Sequence, residues 1–172
     1  MRRLSAFICV YLWLISGLSQ AAAVAPSPRE FVQSFYTWYA PMAMHQKGRA
    51  WDVAVKEKST AFSADLIRAL KADSLAQDKS TGDIVGLDFD PFFYSQDAAQ
   101  HYEVNKVTAN GTGWLVEVVS VRAGKKNEKE SVVAELSPAN GGWQFVNFHY
   151  EENQNLMSIL KTLRDEREKP SR

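Results

Sequence analysis

At Tyr102 the apolar period of this chain changes from that of a helix to that of a strand. Before that point, Phe31, Phe35, Trp38 and Met42 recur at helical spacing, with Val32, Tyr36 and Tyr39 broadening the stripe. After it, alternation predicts strands near Tyr102–Thr108, Trp114–Arg122, Glu130–Leu136 and Trp143–Tyr150. The joins are short and turn-rich: Asn110-Gly111-Thr112-Gly113, Ala123-Gly124-Lys125-Lys126-Asn127, and Pro138-Ala139-Asn140-Gly141-Gly142. Such joins make sequential strands antiparallel neighbours, so the second half is a meander of at least four strands. Helices first, a meander next and a covering helix last give an α+β class. In it, N-terminal helices and a C-terminal helix pack on a curved antiparallel sheet.

Local signals refine the elements. Ser27-Pro28-Arg29-Glu30 combines a capping serine, a proline tolerated at the first helical position and a glutamate placed for a capping box. Pro41 is expected to kink or end that helix, because it lacks the amide a helix interior needs. A short helix is expected over Trp51–Lys58 and a firmer one from Ser63, with Phe62 and Ile67 spaced as a hydrophobic staple. The polar run from Gln77 to Asp83 ends it. In the last strand, alternation puts Trp143 and Phe145 on one face and Val146, Phe148 and Tyr150 on the other, the pattern of a central strand covered on both sides. Leu156, Ile159, Leu160 and Leu163 define the closing helix, and Asp165–Arg172 reads as a frayed charged tail.

The beginning of the chain reads as an address. Arg2 and Arg3 precede an apolar run from Leu4 to Leu18, and a cluster of alanines follows, with cleavage expected after Ala21, Ala23 or Ala25. The run is shorter than the roughly 20 residues that span a bilayer. The expected division is a secretory signal peptide at 1–23 and one α+β domain at 24–172, delivered to the periplasm. The chain has 20 basic and 20 acidic residues, and losing Arg2 and Arg3 leaves a net charge of −2. A nearly neutral domain without a basic stripe is a poor binder of nucleic acid. The single cysteine, Cys9, lies in the apolar run and lacks a lipid-attachment setting. The exported chain therefore has no thiol chemistry and is expected to carry no membrane anchor.

Four segments carry a family resemblance: Phe35-Tyr36-x-Trp38-Tyr39, Ser63-x-x-Leu66 with Leu70 and Asp73, Asp90-Pro91-Phe92, and Gly142-Trp143-x-Phe145-Val146. In these the chain resembles the YbjP-like bacterial envelope proteins, a domain family of unknown function within the cone-shaped nuclear transport factor 2 superfamily. The resemblance implies a helix-covered curved sheet with no assigned catalysis. Some relatives are lipoproteins; the anchoring cysteine is missing here, so tethering does not carry over.

The stretch from Gly86 to Asp97, GLDFDPFFYSQD, sets three carboxylates among four aromatic rings. Asp88, Asp90 and Asp97 are hard oxygen ligands, but Asp90 precedes proline and no glycine sits mid-loop, so calcium chemistry is not expected. Asp-Pro begins a turn, and the phenylalanines are expected to fold inward and close the open end of the domain. For acid–base work the chain offers His101, His149, Tyr36, Tyr39, Tyr102 and Asp97. The best case for His149 is that it shares the face of Trp143 and Phe145 if these point inward; against it, a histidine at a strand end is more often an edge or half-exposed residue. No serine–histidine–aspartate signature, phosphate loop or paired-histidine metal motif occurs.

The expected function is therefore a non-catalytic periplasmic accessory or binding module, without metal or cofactor, that engages another envelope protein or a small apolar ligand. An immunity-type protein blocking an incoming toxin is one version of it. The alternative is a small cofactor-free hydratase- or isomerase-like enzyme using a pocket histidine or aspartate. Candidate binding residues are Tyr36, Tyr39, Asp90, Phe92, Asp97 and His149.

Overall fold

The computed structural model describes residues 25–169. The expected signal peptide lies outside the described residues, as do the last three of the expected tail. Helices α1 (Pro28–His45), α2 (Ala50–Glu57) and α3 (Ala64–Lys79) come first. Strands β1 (His101–Asn110), β2 (Gly113–Arg122), β3 (Lys125–Ala139) and β4 (Gly142–His149) follow, and α4 (Leu156–Arg167) closes the chain. The strands form one curved antiparallel sheet in the order β1-β2-β3-β4, with the helices packed on one face.

Among the described residues, three of the four α-helices begin at a side-chain cap. The Ser27 hydroxyl accepts from the Glu30 amide, and the Glu30 carboxylate accepts from the Ser27 amide at 2.8 Å, a complete capping box. Ser63 caps α3 through the Leu66 amide. Asn155 and Ser158 cap α4 reciprocally. Asn140 and Gly141 both take positive φ, the geometry a tight two-residue hairpin requires. Pro41 does not end α1, which runs on to His45. Pro41 and Thr37, whose carbonyl loses its helical amide donor at the proline, are both exposed, so the lost bond falls on the solvent side of the helix. At the far end α4 extends to Arg167, past the expected start of the tail.

Inward-facing side chains of all four strands meet α1 and α3 in one core. Tyr36, Tyr39, Phe92, Phe145, Phe148, Leu66 and Leu70 have almost no exposed surface. Burying each such side chain contributes about 1.5–3 kcal/mol.

The last strand departs from the expected alternation. Leu136 pairs with Phe145 and Glu135 pairs with Asn147, so Val146 is an extra residue, a β-bulge. The bulge brings Phe148 onto the same face as Phe145, with ring centroids 5.2 Å apart. Tyr150 follows Phe148 inward, and His149 is turned to the open face of the sheet. Nor is the strand central, because β4 is an edge.

Both edges are covered. Along β1 the Arg29 guanidinium donates to the carbonyls of Val104 (2.6 Å) and Asn105 (3.2 Å). The Gln33 side-chain amide donates to the Tyr102 carbonyl at 3.0 Å and accepts from the Val104 amide at 2.9 Å. Helix α1 thus supplies the partners a further strand would offer. Along β4, the Ser63 amide donates to the Phe145 carbonyl and the Tyr150 amide to the Gln154 carbonyl, each at 2.9 Å.

Candidate functional site

The Asp90-Pro91-Phe92 turn lies between α3 and β1. The Asp90 amide donates to the Ser95 carbonyl, and the Tyr94 amide returns to the Asp90 carbonyl, closing a tight loop. Tyr94 takes a φ of 52°, uncommon for a bulky side chain, and its ring stacks on Tyr150 at 4.2 Å. Phe92 points inward and is fully buried. Its ring lies 5.5 Å from Phe35, 5.1 Å from Tyr39, 5.3 Å from Phe62 and 4.9 Å from Phe148. Phe92 is the centre of the aromatic core, a plug rather than an exposed anchor.

Three tyrosine hydroxyls hold that plug. Tyr36 donates to the Phe92 carbonyl at 2.7 Å, Tyr150 to the Pro91 carbonyl at 2.8 Å, and Tyr39 to Oδ2 of Asp90 at 2.5 Å. The other Asp90 oxygen accepts from the Phe92 amide at 2.9 Å. Burial pushes the Asp90 carboxyl up to about 6, against the opposing pull of the Tyr39 hydroxyl and the backbone amides of Phe92 and Phe93. Burial likewise holds the three tyrosines well above their ordinary value, so they remain donors.

Of the residues singled out in the sequence, Tyr36, Tyr39, Asp90 and Phe92 therefore come together, and each is engaged by the fold. Asp97 is exposed; its amide donates to the Ser95 hydroxyl and its carbonyl accepts from Arg122. His149 is on the opposite side of the sheet, where its Nε2 lies 2.8 Å from Oε2 of Glu135. The Val146 bulge is the reason it does not share the inward face of Phe145. His101, 3.3 Å from Glu103, is exposed at the start of β1. Among the described residues, no three histidine, cysteine, aspartate or glutamate side chains gather as a metal site.

Two participants were not foreseen. Tyr150 was read only as a strand residue, although a tyrosine ending an apolar strand often needs a buried acceptor. The Asp73–Arg167 pair is the other. Asp73 is 2% exposed; one oxygen accepts from Arg167 and the other from the Leu87 amide, both at 2.8 Å. Arg167 also donates to the Val85 carbonyl at 2.6 Å, so this pair ties α3, α4 and the start of the loop together.

Beside the plug lies a cleft of about 620 Å³, between the end of α1, the start of α2 and the loop from Leu87 to Ala98. Asp88, Asp97, Met44, Phe89 and Trp51 line it.

No family model matches this chain, and no curated protein does. Among solved structures, the fold is similar to a chain of the type VI native effector–immunity complex Tae3-Tai3 from Ralstonia pickettii. The two are 19% identical with a TM-score of 0.55, over 74% of this chain and 98% of that one. At that identity the likeness is one of fold.

Proposed function

We propose that this chain is a non-catalytic module that binds another protein of the bacterial envelope, and that it works as an immunity-type protein exported to the periplasm. The observation that carries the reading is the separation of its reactive groups. Asp90 and the tyrosines are hydrogen-bonded to one another and to backbone on the helix side of the sheet, whereas His149 lies on the open side with Glu135. A general acid and a general base must both reach one substrate, and here the sheet stands between them. The fold likeness to a chain of an effector–immunity complex supports the same reading. Export rests on the order of basic, apolar and small residues over 1–23. No helix among the described residues is long and apolar enough to cross a membrane.

The test is a crosslinking capture from intact cells that export the chain, with an unrelated exported domain of similar size as control. The expected result is one protein enriched in stoichiometric amount, whose toxicity in the periplasm is relieved by co-export of this chain. Enrichment no different from the control would sink the proposal.

A further inference from the structure

We infer that a second cavity, between α1 and the turn Ser59–Ala61, binds a small carboxylate that carries an apolar tail. The inference goes beyond the partner-binding reading and does not depend on it. The cavity measures about 220 Å³, and Pro26, Phe31, Phe35, Trp38 and Ala61 form its apolar walls. Sites for drug-sized ligands occupy roughly 300–1,000 Å³, so this one suits a body no larger than a single ring or a short chain. Its walls are fixed by contacts behind them. The Phe35 ring lies 4.9 Å from Phe145 and 5.6 Å from Phe62, and the Phe31 ring lies 5.0 Å from Phe145. The Pro26 carbonyl accepts from the Trp143 indole at 2.9 Å. A ligand therefore enters without having to order the residues that receive it.

The polar residues that line the cavity differ in what they have left to offer. Glu30 is committed: its Oε2 accepts from both the amide and the hydroxyl of Ser27 at 2.8 Å, at the positive end of α1. Ser34 is not. A serine or threonine inside a helix can turn its hydroxyl back to the carbonyl four residues earlier, as Thr37 does to Gln33 at 2.8 Å. Among the described residues the Ser34 hydroxyl makes no such bond and has no other partner. Lys58 has no carboxylate partner among them either; its ammonium lies over the Trp38 ring, 5.1 Å from the centroid. That contact steadies the charge without neutralising it. One apolar cavity thus carries a hydroxyl and an ammonium that still have protons to donate. A carboxylate supplies two acceptor oxygens for them, and its tail covers the rings. A neutral hydrocarbon would leave both donors unused, an inorganic anion would leave the rings bare, and an apolar amine would repel Lys58.

The test follows the Trp38 indole N–H by nitrogen-15 NMR of the protein, assigned through Trp38→Phe. The probes are phenylacetate, its neutral amide phenylacetamide, the cation phenethylamine, and acetate, which has the charge without the ring. Phenylacetate should shift the indole signal saturably, and each of the other three should bind at least about tenfold more weakly. Lys58→Met should weaken phenylacetate about tenfold, and Ala61→Phe, which fills the cavity, should abolish the shift. Lys58 is exposed, so its replacement leaves the core intact and decides the point even where Ala61→Phe does not fold. No saturable shift, equal affinity for phenylacetamide or acetate, affinity unchanged in Lys58→Met, or wild-type binding by folded Ala61→Phe would each overturn the assignment.

Discussion

The Tyr39 hydroxyl lies 2.5 Å from Oδ2 of Asp90, joining the middle of the first helix to the turn that closes the domain. The carboxylate sits at the margin of an aromatic core, where desolvation outweighs the hydrogen bonds that favour its charge. A folded value of about 6 against an ordinary 3.8 means that the folded state favours the protonated form. The stability this group contributes is full below about pH 4 and is lost as the pH rises through about 6. Lowering the pH from 7 to 5 should therefore stabilise wild type relative to Asp90→Asn by about 1 kcal/mol, read from urea melts of both proteins across that range. Parallel pH profiles would show that the carboxyl titrates normally.

Phe92→Ala removes the ring around which Phe35, Tyr39, Phe62 and Phe148 are arranged. The expected loss is about 3–5 kcal/mol, a large part of the stability of a domain this size. Thermal melting should show a fall of many degrees, and Phe92→Leu should recover much of it. An unchanged melt with lost partner capture would show instead that the side chain works at an interface.

Tyr36→Phe leaves the Phe92 carbonyl without its buried donor, and Tyr150→Phe does the same to Pro91. Each should cost about 1–3 kcal/mol in denaturant melts. Because both donors grip one turn, the double variant should lose less than the two single losses combined. Strict additivity would mean that the turn is held independently of them.

Arg167→Met strands Asp73, whose carboxylate is closed to solvent. Removing one partner of such a pair should cost about 3 kcal/mol. Adding Asp73→Asn should restore part of the loss, since a neutral amide keeps an acceptor for the Leu87 amide. If the double variant melts no higher than Arg167→Met, the buried charge is not the cause.

The elements were legible wherever the signal was local. Ser27 and Glu30 are three residues apart, and their capping box forms as the spacing predicts. The four hairpin-linked strands likewise follow from alternation and turn residues. What alternation does not reveal is a residue that breaks it. Val146 looks like any strand valine, yet its bulge reverses the facing of Phe148 and His149, and with it the position of the best catalytic candidate. Pro41 misleads in the other direction: on an exposed turn of a helix anchored by Tyr39 and Ala40, one missing bond is affordable. The Asp73–Arg167 pair joins residues far apart in the chain, and nothing near either one marks it. For the site, the stretch from Gly86 to Asp97 was visible as unusual, and Phe92 does fold inward to close the domain. The three tyrosines that hold its turn, two through backbone carbonyls and one through the Asp90 carboxylate, become a set only once the chain is folded.

The cover over β1 has a consequence in time. Arg29 and Gln33 mask the edge of a strand some seventy positions later in the chain, so the mask and the edge it covers cannot form together locally. Until the first helix docks, a newly made chain carries an open, sticky border, and that interval is when it is most exposed to self-association. The same two side chains that finish the sheet also decide how long the chain is at risk.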